Sequence, residues 1–532
     1  MQKFSFCIGL LLLTVFPRIH AQVWQPDKGD GNYLNPIIHA DYSDPDVERV
    51  GEDFYMVASS FNCAPGLPVL HSTDLVNWKI VSYVFADQPP ADVFSQPQHG
   101  NGVWAPSIRY HDGWYYVFYG DPDYGIYMCK TRDPAGTWEP PHLVRAAKGW
   151  IDPCPYWDTD GQAYLVHAFA GSRAGIKSIV VLHKMASDGS SLLDDGVLVF
   201  DGHAAHTTIE GTKMHKRNGW YYILAPAGGV ATGWQTMLRS KNIWGPYEEK
   251  IILNQGATNI NGPHQGAWVS LENGEDWFIH FQEKQPYGRI VHLQPARWEN
   301  DWLMVGEDKN HDGIGEPVRT WKKPSVEKPS LPAVPQTSDE FDSISPGLQW
   351  QWQANPKPEW SFPTASGFLR MNPVILPEIK NLWDAPNLLL QKMPAETFTV
   401  TTKLTFYPHY DGEKTGLVVM GRDYSYIGLV QEEGKLFLIL AECLRADAGA
   451  PEILSQKIPL SGQEIFLRVN VAAKGICRFS YSTDGKKYIE AGAPFQAKEG
   501  KWIGAKVGIF CLRPKHENDG GYADYDWFRI EK

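Results

Sequence analysis

GWYYVFY at 113–119 decides the fold, because the chain repeats the same phrase, with small changes, five times. The other copies are DFYMV at 53–57, GQAYLVH at 161–167, GWYYIL at 219–224 and EDWFIHF at 275–281. A small segment and a polar turn precede each core. The segments open Asp44-Pro45-Asp46, Ala105-Pro106-Ser107, Asp152-Pro153-Cys154, Glu210-Gly211-Thr212 and His264-Gln265-Gly266. With Tyr55, Tyr116, Tyr164, Tyr222 and Phe278 taken as equivalent, the copies lie 61, 48, 58 and 56 residues apart. Several short strands repeated at such a period are the signature of a β-propeller, here with five blades. A second echo, HSTDLVNW (71–78), KTRDPAGTW (130–138) and RSKNIWGPY (239–247), marks a strand end, a turn and an outer aromatic. Unrelated hairpins in a large β-sandwich would also give short strands, but not openings in register.

In a propeller the first strand of each blade lies innermost, so equivalent positions on it converge on the axis. Three of the openings begin with carboxylates, and Asp44, Asp152 and Glu210 are therefore expected to face one another in a single funnel beside Trp104 and His264. A single Asp or Glu is usually a solvated surface charge. Like charges gathered in a funnel raise one another's proton affinity. A protonated acid beside an ionised base is the pairing that cleaves a glycosidic bond, and inverting enzymes hold the two roughly 6.5–9.5 Å apart.

Downstream, the proline-rich stretch 321–341 lacks strand periodicity and reads as an interdomain connection, with its core at 326–337. Residues 22–325 suit the propeller. Residues 338–532 carry alternating strands with Gly-rich turns, such as FTVTTKLTF (398–406) and IFLRVNVAA (465–473), and read as a β-sandwich. The whole chain is expected to be all-β.

The first 21 residues read as an export signal: Lys3, an apolar core from Phe6 to Phe16, and Ile19-His20-Ala21 before the cut. That core is too short to span a bilayer. Export to the periplasm or the medium is expected, without membrane insertion. The six cysteines beyond it show no CxxC spacing and read mostly as buried thiols. A net charge of −12 argues against nucleic acid as a partner. The aromatic content, 21 Trp, 24 Tyr and 23 Phe, serves blade cores and sugar platforms alike.

The chain resembles glycoside hydrolase family 43, in its β-xylosidase and α-L-arabinofuranosidase group. The matching elements are NPIIHADYSDPDV (35–47), SSFNCAPGLPVLHSTDLVNW (59–78), WAPSI (104–108), WIDPCPYWD (150–158), IEGTKMHKRNGWYYI (209–223), GPHQGAWV (262–269) and GRIVHLQPARW (288–298). WQWQANP (350–356) and GYADYDWF (521–528) look like the jelly-roll, concanavalin-like sandwich that follows the propeller in that group. The resemblance implies that Asp44 is the general base, Glu210 the general acid, and Asp152 the carboxylate that orients Glu210 and raises its pKa. It implies substrate contacts from Phe61, Trp104 and Arg289, with His264 counted beside them in the binding set. For His264 it leaves two readings, a role near a central calcium or water cluster and a plain buried imidazole. Many family β-xylosidases carry a Glu-His pair where this chain has Gly233, Trp234 and Gln235 within 227–240, which puts strict xylosidase specificity in question.

DKNHDGIGE (308–316) sets Asp308, Asn310, Asp312 and Gly313 at calcium-loop spacing, but Arg319 stands where the closing Glu belongs. It reads as a polar turn, with a structural calcium as the alternative. No organic cofactor is implied. The expectation from sequence is an exo-acting, inverting hydrolase releasing terminal α-L-arabinofuranosyl units from plant cell-wall oligosaccharides. The alternatives are a β-D-xylosidase or bifunctional enzyme, and a sugar-binding propeller without turnover.

Overall fold

The computed structural model describes residues 22–328, 330–374, 379–514 and 519–532. The export segment 1–21 lies outside them. Five four-stranded antiparallel sheets, spanning 46–85, 104–146, 150–201, 213–253 and 264–305, each keep their strands in sequence order. First strands of neighbouring blades touch: Asp46–Val50 meets Trp104–His111 on one side and His264–Ser270 on the other. This is the five-bladed propeller, and the inner strands form its hub.

The aligned aromatics of the repeat all fall in the second strand of their blades. Each of the first four packs on a ring of the next blade. Tyr55 lies 5.2 Å from Tyr115, Tyr116 lies 4.9 Å from Trp157, Tyr164 lies 5.7 Å from Trp244 and Tyr222 lies 5.1 Å from Trp298. The repeat is thus an inter-blade contact written once per blade, each ring pair adding roughly 0.5–1.5 kcal/mol beyond its buried area.

The fifth joint is made differently. Between blades five and one the chain inserts its N-terminal segment, whose strand Asn32–Leu34 pairs with Thr320–Lys322. Tyr33, Ile37 and Ile38 join one buried cluster with Val47 and Met56 of the first blade and Ile279 and Leu293 of the fifth. Asn35 fastens this joint. Its Nδ2 donates to the carbonyls of Leu293 at 2.7 Å and Val318 at 2.8 Å, and its Oδ1 accepts from the Leu293 amide at 2.8 Å.

Beyond residue 338, two seven-stranded sheets pack face to face as a β-sandwich. The alternation is plain in Glu464–Ala472, whose even-spaced Ile465, Leu467, Val469 and Val471 are buried. Val400, Leu467 and Phe528 of one sheet share a core with Leu417, Ile427 and Ile509 of the other. The proline-rich 326–337 runs along the first blade, where the Ala333 amide donates to Asn77 Oδ1 at 2.9 Å. The six described cysteines are buried and free. Among the described residues no helix is long and apolar enough to cross a membrane.

Asn35→Ala removes three buried hydrogen bonds of about 1 kcal/mol each from the one joint where the described residues form no aromatic pair between blades. In scanning calorimetry, the propeller transition is expected to fall by several degrees while the sandwich transition stays in place. An unmoved propeller transition would contradict this account of ring closure.

Candidate active site

The inner strand of each blade begins beside a residue with left-handed backbone: Asp44 (φ 56°), Ala105 (24°), Asp152 (57°), Gly211 (64°) and Gln265 (38°). In blades two, three and five the pairing register shifts at this point, between Trp104 and Ser107, Ile151 and Cys154, and His264 and Gly266. An extra residue in a bulge re-aims a side chain, and Asp tolerates the left-handed region better than most. The structural equivalents in blades four and five are therefore Gly211 and Gln265. Glu210 and His264 each stand one residue ahead, a correction to the alignment read from sequence.

Asp44, Asp152 and Glu210 nonetheless line one cavity of about 430 Å³, with Phe61, Trp104 and Arg289. The three carboxylates differ in surroundings. Asp44 is 4% exposed, and its Oδ2 accepts from Ser43 Oγ at 2.7 Å and Ser59 Oγ at 2.6 Å. Arg289 Nη1 reaches both of its oxygens at 3.3 Å and also donates to Ser43 Oγ. Four donor contacts suit an ionised carboxylate.

Asp152 is 1% exposed, and its Oδ2 accepts from the Gly211 amide at 2.6 Å. Burial first, and then the Glu210 charge beside it, hold its carboxyl well above the usual carboxylate range. A proton is thus retained in this corner at pH values where an isolated carboxylate has lost it. The Glu210 side chain is the most open of the three at 19%, and its Oε1 lies 3.0 Å from His264 Nε2.

His264 itself is fully buried and does not line the cavity; it stands behind Glu210. With Nε2 protonated, the ring donates to Oε1 and leaves Oε2 for the cavity. Gly233, Trp234 and Gln235 also lie off the wall. The loop lines the cavity through Gly229, Val230, Ala231 and Thr232, while the Trp234 indole turns to His206 Nδ1 at 3.2 Å. The 308–316 stretch folds as a hydrogen-bonded turn, with the Gly313 amide on Asp308 Oδ2 and the Ile314 amide on Asp312 Oδ1. Among the described residues no three His, Cys, Asp or Glu gather as a metal group.

Two contributors were not visible in the sequence. Trp502, from the sandwich, lines the cavity, with its ring 6.2 Å from Trp104 and the Arg289 guanidinium 5.7 Å above it. Asp41 links the domains: its Oδ1 accepts from the Arg289 amide at 2.8 Å and its Oδ2 from the Gly504 amide at 2.9 Å. No periodicity points to either residue.

Comparison with known proteins agrees with this architecture. The model for "Glycosyl hydrolases family 43" matches residues 33–303, and that for "Beta xylosidase C-terminal Concanavalin A-like domain" matches 338–531. A putative beta-xylosidase of Xylanibacter ruminicola is 41% identical, over 93% of this chain and 89% of its own length. A non-reducing end alpha-L-arabinofuranosidase of Bacteroides ovatus is 28% identical, over 93% of this chain and 94% of its own. The crystal structure of a family 43 protein from Bacillus licheniformis superposes with a TM-score of 0.80 at 25% identity, covering 94% of this chain and 99% of that one.

The raised Asp152 carboxyl has a sign that stability reads directly. An acid with a raised folded-state pKa favours the fold fully below its unfolded value near 4, and that contribution is lost as pH rises through the folded value. Asn at 152 cannot ionise and keeps an acceptor for the Gly211 amide. The melting temperature of Asp152→Asn minus that of the native chain is expected to grow as pH rises from about 4. The limiting slope is about 1.4 kcal/mol per pH unit. A pH-independent difference would mean that Asp152 is ionised in the fold.

Proposed function

The chain belongs to glycosyl hydrolase family 43, and from that premise we propose that it is an exo-acting, inverting β-D-xylosidase. The observation that carries this reading is the 41% identity, over nearly the whole of both chains, to a putative beta-xylosidase. It reverses the order expected from sequence, where arabinofuranosidase stood first. That expectation leaned on Gly233, Trp234 and Gln235, and these residues do not line the cavity. Release of terminal α-L-arabinofuranosyl units is the second reading, favoured by the relative of that name at 28% identity.

In the proposed reaction a terminal pentose enters the funnel with its leaving oxygen toward the mouth. Asp44, held by Arg289 and two serine hydroxyls, takes a proton from a water that attacks the anomeric carbon. Glu210, held by His264 and open to the cavity, gives its proton to the departing oxygen. Asp152, whose carboxyl burial and the Glu210 charge hold toward its protonated form, shares this corner with the acid. Phe61, Trp104 and Trp502 give the sugar apolar walls and exclude water. One displacement inverts the anomeric centre. Plant cell-wall oligosaccharides are the substrates this chemistry suits, and the export signal read at 1–21 would place the protein in the periplasm or the medium.

Initial rates on aryl β-D-xyloside and aryl α-L-arabinofuranoside test the assignment. The xyloside is expected to give the higher kcat/KM, and proton NMR of the first-formed sugar should show the opposite anomer to the substrate. A higher kcat/KM on the arabinofuranoside would hand the first place to the second reading. Retained configuration would end the single-displacement mechanism for both.

Glu210→Ala separates acid from base. On a natural disaccharide kcat is expected to fall by about 10²–10⁴, and on an aryl glycoside with a good leaving group by much less. Equal losses on both substrates would remove Glu210 from the acid role.

A further inference from the structure

A second cavity of about 480 Å³ lies where the propeller, the sandwich and the proline-rich connection meet. It shares no lining residue with the catalytic funnel. Ligand sites favour domain junctions, and this volume falls within their range of about 300–1,000 Å³. No described lining residue is a carboxylate, so the cavity lacks the carboxylate set that the catalytic funnel holds.

Its polar lining is unsatisfied. His39, 2% exposed, has no hydrogen-bond partner at either ring nitrogen among the described residues. Gln391, 2% exposed, lacks one for Nε2, and Gln349, 7% exposed, lacks one for Oε1. Buried polar groups are nearly always paired, so the unpaired atoms of three lining residues call for partners, and each of those atoms is turned away from the open space of the cavity in this conformation. Donors and acceptors of this kind match sugar hydroxyls.

The cavity also holds a cation that makes no close ion pair among the described residues, Asp41 acting on it only from a distance. Lys392 sits on a sandwich strand directly opposite Lys506, a like-charge pairing that destabilises the strand pair. Its Nζ donates to Gln351 Oε1 at 3.2 Å, and no carboxylate among the described residues lies within salt-bridge distance. Burial, then the neighbouring Lys506, pulls its pKa down to about 8, so at neutral pH it is still mostly charged. An uncompensated charge withdrawn from water is costly, and a bound anion relieves it. Lys79 adds a second, exposed ammonium to the lining. Trp24, Tyr42 and Tyr83 supply ring surface, with Lys392 Nζ 5.2 Å from the Tyr42 ring centre.

We propose that this cavity is a non-catalytic site for a uronic-acid sugar, free or at the end of an oligosaccharide. The sugar carboxylate pairs with Lys392, its C–H face lies on the aromatic rings, and its hydroxyls meet the Gln349 and Gln391 amides once these turn toward the cavity. The site does not depend on which pentose the catalytic funnel prefers.

Calorimetric titration of the full chain with sodium D-glucuronate, D-xylose and sodium acetate tests it, with CD spectra checking that each variant is folded. Glucuronate is expected to bind one site and to weaken at least about tenfold in Lys392→Met, a loss of about 1.4 kcal/mol. Lys392→Arg should retain binding, Gln349→Leu should weaken it about threefold, and Trp502→Ala in the catalytic funnel should leave it unchanged. Hydrolysis by Lys392→Met should stay at the native rate. Acetate binding as tightly as glucuronate would reduce the cavity to a simple anion site and overturn the proposal. So would glucuronate binding that survives Lys392→Met and Gln349→Leu but disappears in Trp502→Ala, or no glucuronate binding at all.

Discussion

Three carboxylates withdrawn from bulk water at the hub of a ring must each be given a donor or a proton. Two unit charges 4 Å apart repel by about 4 kcal/mol at an effective dielectric of 20, and withdrawal from water adds its own cost. The fold meets this requirement in three different ways. Asp44 receives Arg289 and two hydroxyls, Asp152 is held toward its protonated form by burial and the Glu210 charge, and Glu210 remains partly open beside His264. The same differences separate a base from an acid. Identical surroundings would have left three equivalent groups and no direction for proton flow.

The sandwich belongs to this arrangement, because the residue that holds Asp44 is itself held from the second domain. The Gly504 amide binds one oxygen of Asp41, the other oxygen binds the Arg289 amide, and the Arg289 guanidinium reaches Asp44. Removing one partner of a buried pair such as Arg289–Asp44 costs about 3–5 kcal/mol, so the position of Arg289 has to be secured. Trp502 follows the same logic. Its ring meets Trp104 at 6.2 Å across the domain boundary and completes a wall that the propeller leaves open. Gly504 makes such an approach practicable: a Cβ there would lie 2.6 Å from the Gly288 nitrogen.

How far the sequence was legible follows from what a repeat records. Tyr55, Tyr116, Tyr164, Tyr222 and Phe278 recur because every blade must present the same strand to its neighbour, and a periodic demand leaves a periodic trace. The three carboxylates were found for that reason. The one-residue displacement of Glu210 and His264 was not, because the backbone position that carries the left-handed residue leaves no mark in composition. Trp502 and Asp41 depend on a single contact between domains more than 200 residues apart, which no spacing encodes. The loop at 227–240 misled in another way. Gly233, Trp234 and Gln235, in place of a Glu-His pair, bore on specificity in the sequence, yet the Trp234 indole seeks His206 and the small residues before it face the cavity.

Exposure sets a further order on the three groups. In a single displacement the acid ends the turnover without its proton and the base ends with one too many. Both must exchange with solvent before the next substrate arrives. In the proposed reaction Glu210, at 19% exposure, would meet water through the mouth once the leaving group departs, whereas Asp44, at 4%, would be reached only when the funnel empties. Recovery of the base therefore waits on release of the pentose, while recovery of the acid waits only on release of the aglycone. The raised proton affinity of Asp152 draws the returning proton into the corner it shares with Glu210.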